Sequence, residues 1–271
     1  METRVSHGSV SLLGRRRVME DAITVAPPNL PCTHEFFAVY DGRGGPRVST
    51  ACHERLHLIL ADEIARHGAD WRSVMKASFN KMDDLVKGTV GALVEDGFHV
   101  VPAETIGSTA TVVMVGEEEI VVANCGDSRV VLFSGGAALP LSHDHKSDDP
   151  KERARLESEQ RDIKLDLPVT RTIGHHGHVM KHCLIPDPQV EVRHRTQWDK
   201  FLIIASHGLW DVVSNEGACA VVKNCLDGHI RRSLENDSVT SSAVAVAATT
   251  LAEFAMARGS KDNISLVVVE L

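Results

Sequence analysis

Nothing in this sequence offers a polyanion a landing surface. Lys and Arg number 29 against 37 Asp and Glu, a net charge of -8, so the basic excess that draws proteins to nucleic-acid phosphates is missing. No nucleic-acid partner is expected. Long apolar runs are missing too: the longest, 201–206 and 264–269, fall far short of the roughly 20 residues a bilayer-spanning helix needs. The expectation is a soluble chain with no membrane partner. The six cysteines (Cys32, Cys52, Cys125, Cys183, Cys219 and Cys225) contain no CxxC pair, and the start of the sequence shows no secretory signal. Reduced, buried thiols in the cytoplasm or nucleus are therefore expected. No repeat or low-complexity tract stands out.

What is present is material for one substantial core. A chain of 271 residues, 43% hydrophobic, is compatible with a single domain spanning 1–271. Short runs rich in Val and Ile, ending in Gly, Asp or Ser, predict strands over 9–13, 22–25, 36–40, 109–115, 120–123, 130–133, 190–193, 201–205 and 264–269. Apolar residues at helical spacing predict helices over 48–65 and 71–86, with two more over 216–226 and 239–256. The charged, Gly-containing stretch 227–237 reads as a surface loop. Helices come in blocks between groups of strands, without strict alternation, which predicts an α+β fold over a doubly wound parallel sheet.

Acidic residues stand where strands should begin or end. Glu20 and Asp21 precede 22–25, Asp41 follows 36–40, Asp127 follows 120–123, and Asp262 precedes 264–269. Carboxylates at strand ends can converge on one sheet edge, and hard cations such as Mg²⁺ and Mn²⁺ take oxygen ligands of this kind. Taken singly, each acid reads first as a turn or cap residue. Residue chemistry alone stops at a candidate metal site.

Six segments go further. Gly14-Arg15-Arg16-Arg17-Val18-Met19-Glu20-Asp21, Phe37-Ala38-Val39-Tyr40-Asp41-Gly42-Arg43-Gly44-Gly45, Gly107-Ser108-Thr109-Ala110, Ala123-Asn124-Cys125-Gly126-Asp127-Ser128-Arg129, Ser206-His207-Gly208-Leu209-Trp210-Asp211-Val212 and Ser260-Lys261-Asp262-Asn263-Ile264-Ser265 resemble, in order, the signature blocks of the type 2C metal-dependent serine/threonine protein phosphatases. The wording of Cys52-His53-Glu54-Arg55-Leu56-His57 and Trp210-Asp211-Val212-Val213-Ser214-Asn215-Glu216 is similar to the plant branch containing the abscisic-acid co-receptors. The resemblance implies two antiparallel β-sheets packed as a sandwich and flanked by helices, with two Mg²⁺ or Mn²⁺ ions at one end. It assigns the phosphate grip to Arg16, the bridging ligand to Asp41, a backbone-carbonyl ligand to Gly42, the acidic pair to Glu20 and Asp21, and a terminal ligand to Asp262. Asp127 and Asp211 match acidic positions near the metals, and both also read as turn residues bonding backbone amides.

Three positions depart from that pattern. DGHGG reads with Arg43 in place of the general-acid histidine, S-D-G with His207 in place of a ligand aspartate, and I-G-D with His175 in place of its aspartate. A guanidinium stays protonated and cannot serve as a general acid. The Arg43 and His207 changes together move the site about two charge units against cations. With Arg43 about 5 Å from a divalent ion and a dielectric of about 20, repulsion reaches roughly 6 kcal/mol. In the other reading, His207 ligates through nitrogen and favours Mn²⁺ or Zn²⁺. The flap near 157–170 is shortened and holds none of Trp71, Trp198 and Trp210, so a tryptophan lock onto a hormone receptor is not expected. The run His175-His176-Gly177-His178 with His182 and Cys183 lacks finger or helical metal spacing and reads as a polar surface loop. His143-Asp144-His145 does not read as part of a serine triad. The resulting expectation is a monomeric pseudophosphatase that binds phosphoproteins or protein kinases, the alternative being a weak Mn²⁺-dependent phosphatase.

Overall fold

The computed structural model describes residues 5–26, 30, 33–90, 106–158, 168–175, 183–230 and 242–271. Two five-stranded antiparallel sheets lie face to face. The first runs β1 (His7–Leu12), β13 (Ile264–Glu270), β12 (Asp199–Ala205), β8 (Arg129–Ser134), β9 (Ala137–Pro140). The second runs β11 (Gln189–His194), β7 (Glu119–Cys125), β6 (Ala110–Val115), β3 (Glu35–Tyr40), β2 (Ala22–Val25). A small third sheet joins β10 (Ile173–Gly174), β5 (Gly107–Ser108) and β4 (Gly42–Arg43). The helices are α1 (Arg47–His67), α2 (Trp71–Val90), α3 (Pro150–Ser158), α4 (His207–Trp210), α5 (Asn215–Leu226) and α6 (Ala243–Ala257).

Period-two burial explains why the strands read as unbroken apolar runs. Along β12, Leu202 and Ile204 pack inward with Phe37, Val39, Val113, Val122, Leu132 and Val267 between the sheets. Phe201, Ile203 and Ala205 face the other way, onto Val222 of α5 and Ala248 and Leu251 of α6. Phe36, Ala38 and Tyr40 of β3 likewise face Leu56 and Leu60 of α1 and Phe79 and Met82 of α2. Both faces of each sheet are therefore covered, giving helix, sheet, sheet and helix layers, so the central strands are mostly apolar, and the buried exceptions Thr111 and Asn124 satisfy each other, the Thr111 hydroxyl donating to Asn124 Oδ1 at 2.6 Å. The α+β sandwich expected from the sequence is what forms, and the doubly wound parallel sheet is not.

Differences from expectation have local causes. The predicted strand over 109–115 is interrupted at Thr109, whose N–H donates to the Asp41 carbonyl at 2.9 Å while its hydroxyl accepts from the Asp41 N–H at 3.1 Å. Strand β9 lacks β-branched residues. Helix α3 has Leu156 and Glu152 as its buried residues, leaving no apolar period to detect. The helix predicted over 239–256 begins at Ala243, with the Ser242 hydroxyl accepting from Ala245 N–H at 3.3 Å; residues 239–241 lie outside the described residues. The predicted loop 227–237 is described only as far as Ile230. Cys52, Cys125, Cys183, Cys219 and Cys225 are free and buried, and Cys32 lies outside the described residues. No described helix is long and apolar enough to cross a membrane.

Candidate functional site

The strand registers gather the acids. Ala22 pairs with Tyr40, Ala110 with Cys125 and Ala205 with Leu266, so Asp21, Asp41, Asp127, His207 and Asp262 all leave the sheets at one end of the sandwich. Hydrogen bonds then sew the two sheets together there. Ser206 Oγ donates to Asp21 Oδ2 at 2.9 Å, and the His207 N–H donates to Asp41 Oδ2 at 3.3 Å. Asn263 accepts the Glu20 N–H through Oδ1 at 2.9 Å and donates through Nδ2 to the Leu13 and Val18 carbonyls at 2.8 and 3.2 Å. Gly42 sits in β4 so close to the Glu20 carbonyl that a Cβ would lie 2.3 Å from that oxygen.

Electrostatically the floor of this end is under-compensated. Burial holds the Asp41 carboxyl well above the ordinary carboxylate range, and the charges of Asp21, Asp127 and Asp262 push it further. Burial also raises Asp21, to about 6; hydrogen bonds from Ser206 and Ser265 oppose the rise, and Asp262 and Glu20 add to it. Asp127, 3% exposed, is raised by burial and lowered by His207, Lys146 and Arg43. Mutually destabilised carboxylates in one spot characterise a site built for positive charge.

Part of that charge is supplied from within the chain. The Arg16 guanidinium holds Asp262 at 2.8 Å (Nε to Oδ1) and 2.9 Å (Nη2 to Oδ2), and Asp262 raises the Arg16 pKa in return. The His207 ring lies between two aspartates: Nε2 is 3.0 Å from Asp211 Oδ2 and Nδ1 is 3.4 Å from Asp127 Oδ2. At 3.4 Å the longer contact is not a well-aligned hydrogen bond. Arg43 projects from the exposed side of β4.

Hard-ion chemistry is met only in part. Glu20, Asp21, Asp41 and the Gly42 carbonyl carry suitable oxygens. The Asp262 carboxylate, however, is occupied by Arg16, and at 207 a ring nitrogen replaces an anionic oxygen. Among the described residues, no three His, Cys, Asp or Glu side chains are gathered closely enough to hold an ion as they stand.

The other sequence candidates fall elsewhere. Asp144 is held by Arg129 through two bonds of 2.9 and 2.8 Å. Buried His145 accepts from the Gly126 N–H at 3.2 Å, and burial, aided by Arg171, lowers its pKa to about 4. The His143-Asp144-His145 run is therefore a structural corner. His175 corrects the surface-loop expectation: it is 8% exposed, with φ of 56°. His176, His178 and His182 lie outside the described residues, as does 159–167 of the shortened flap. Trp71 donates to Glu119 Oε1 at 2.7 Å and Trp210 to the Ala205 carbonyl at 3.0 Å; both are buried. Trp198 is 60% exposed but precedes β12, whose other end carries His207, so the length of the strand, about 20 Å, separates it from the acids. Sequence reasoning gave no role to Asn263, Ser206 or Thr109; their presence inside the quoted segments was the only signal.

Comparison with known proteins agrees with this architecture. The family model "Protein phosphatase 2C" matches residues 5–264. The chain is 45% identical over 310 aligned positions to "Probable protein phosphatase 2C 8" of Oryza sativa subsp. japonica, covering 98% of this chain and 74% of that protein. Among solved structures, a C. elegans sex determining protein superposes with a TM-score of 0.79 at 19% identity, over 98% of this chain and 64% of that longer one. The serine-threonine phosphatase 2C of Toxoplasma gondii does so with a TM-score of 0.73 at 18% identity, over 98% and 94%. At such identities the two structures speak for the fold alone; the family match and the plant relative carry the assignment, and the chain belongs to the protein phosphatase 2C family.

Proposed function

We propose that this chain is a pseudophosphatase: a monomeric cytoplasmic or nuclear protein that recognises phosphoproteins, protein kinases among them, and hydrolyses phosphoserine or phosphothreonine slowly or not at all. The family is metal-dependent, generally on Mg²⁺ or Mn²⁺. The observation carrying the proposal is the His207 ring lodged between Asp127 and Asp211, at a position where an anionic ligand is expected. Arg43 adds a fixed positive charge and no transferable proton. With the donor set diverted in this way, the parts that remain useful are those that hold phosphate, and two arginines can grip a phosphoryl group without cleaving it.

The test is hydrolysis of phosphoserine and phosphothreonine peptides at millimolar Mg²⁺ and, separately, Mn²⁺. Little turnover in either is expected; turnover of about 1 per second or faster with saturating Mg²⁺ overturns the proposal. Activity with Mn²⁺ alone selects the rival reading in which His207 swings onto a metal. The same proposal has no place for an abscisic-acid receptor locked by a flap tryptophan, an anchor of a kind worth about 2 kcal/mol or more. Hormone-dependent binding at submicromolar affinity, measured by calorimetry, would refute that part.

A further inference from the structure

On α1 the segment His53-Glu54-Arg55-Leu56-His57 sets two histidines one helical turn apart, and the helix runs unbroken through both, from Arg47 to His67. Residues at this spacing share one face, with Cβ atoms about 5–6 Å apart, the arrangement in which the two imidazoles of an H-E-x-x-H helix hold one zinc ion. Burial lowers the His57 pKa, the His53 carbonyl raises it, and the charge of the His53 ring lowers it again. The two rings are thus close enough to act on each other, and His57 is neutral at pH 7, as a metal ligand must be. Strand β2 fixes the tautomer of His53. The hydroxyl of buried Thr24 donates to the His53 carbonyl at 3.3 Å, so towards His53 Nδ1, at 3.0 Å, it accepts. Nδ1 therefore carries the ring proton and Nε2 keeps the lone pair. A ligating histidine is held in this way, its second nitrogen donating to a fixed acceptor. The His57 ring rests against Phe36, centroids 6.3 Å apart, with its Nδ1 buried, so Nε2 is the nitrogen left to bind.

We propose that His53 and His57 bind a zinc ion on the face of α1 beside β2, with water completing its coordination. Imidazole nitrogens favour Zn²⁺ over Mg²⁺, so this site differs in chemistry from the acidic end, whose donors are carboxylate oxygens. It also stands apart in space: Thr24 is four residues along the chain from Glu20, about 13 Å of extended strand. Among the described residues, no third His, Cys, Asp or Glu joins the pair. A zinc peptidase holds its ion with typically three protein ligands, so the assignment is of a binding site and includes no hydrolytic step. It holds whether or not the chain cleaves phosphoesters.

The experiment titrates the full chain with Zn²⁺ in millimolar Mg²⁺, which competes for the carboxylate oxygens of the acidic end, and follows both the heat of binding and the histidine ring resonances. The His53 and His57 ring resonances are expected to shift together along one binding event. His53→Gln and His57→Gln are each expected to weaken that event at least tenfold, and Thr24→Val, which removes the acceptor that sets the His53 tautomer, about tenfold. His207→Asn, which removes the imidazole at the acidic end, is expected to leave it unchanged. His53 is exposed and His57 half-buried, so His53→Gln keeps the test readable if His57→Gln lowers the melting temperature. The site is overturned if both ring resonances stay still as Zn²⁺ saturates the protein, if His53→Gln binds as wild type at unchanged melting temperature, or if His207→Asn abolishes the event. Thr24→Val binding as wild type would overturn the orienting role given to Thr24.

Discussion

Two buried acidic clusters in this molecule are solved in opposite ways. Glu152 of α3, 2% exposed, accepts from Thr170 Oγ1 at 2.7 Å, Arg171 Nε at 2.9 Å and Arg155 Nη2 at 3.0 Å. Burial alone would push its pKa up; bonds from Arg171 and Thr170 and the charges of Arg171 and Arg155 instead bring it down to about 2. Asp41 has other carboxylates for neighbours, and its pKa goes up. A carboxylate surrounded by donors is part of the scaffold, here tying α3 to the 168–171 and 183–187 segments through Arg155 and Arg171. One surrounded by its own kind is a place prepared for a cation; here the Arg16 guanidinium meets Asp262, and the His207 ring lies beside Asp127 and Asp211.

The contrast is broken most forcefully at Glu152. Glu152→Gln leaves two partly buried guanidiniums, Arg155 and Arg171, short of an anion and is expected to cost about 3 kcal/mol at pH 7, read from denaturant unfolding. Because the folded-state pKa lies below the ordinary 4.5, this contribution is fully present above about pH 4.5. It fades as pH falls towards 2, so wild type and variant should converge there. A variant as stable as wild type at pH 7 would show that the cluster is ornamental.

Asp21→Asn probes the other cluster with the opposite sign. Its pKa is raised to about 6 from 3.8, so the folded state holds its proton more tightly than the unfolded one. The associated stability is fully present below about pH 3.8 and is lost as pH rises through 6. Near pH 7 the ionised, buried carboxylate is a liability of up to about 3 kcal/mol. Asn keeps an acceptor for Ser206, so the variant is expected to be more stable than wild type at pH 7 in EDTA, the gain shrinking towards pH 4. Destabilisation at pH 7 would mean that the acids at this end are already neutralised.

A smaller effect sharpens the comparison by undoing the internal neutralisation. Arg43→His together with His207→Asp is expected to raise Mn²⁺ affinity at least tenfold, about 1.4 kcal/mol, and by more than the sum of the single changes, since both act on Asp127. Calorimetry on the four variants checks this; strictly additive effects would place the two residues in separate environments.

Much of the fold was legible because both sheets are covered on both faces. Strands such as β12 and β13 have no polar alternation to obscure them, and their Asp, Gly or Ser boundaries mark their ends. Helices α1 and α2 showed their apolar stripes in the same way. Helix α3 was not legible: its anchor is the charged Glu152, which in a one-dimensional reading is indistinguishable from a solvated surface residue. The paired two-residue strands β4, β5 and β10 were equally hidden, because a ladder that short has no periodicity.

By itself the sequence determined the family resemblance, the sandwich of sheets and helices, and the identity of the acids at the strand ends, since these depend on residue type and spacing along one chain. Only the tertiary structure decided what those acids meet. That Arg16 takes Asp262, that His207 stands between Asp127 and Asp211, and that the His175 ring packs against Gly107 are facts of strand register and close approach. Such contacts depend on distances between residues remote in the chain, and no local pattern encodes them.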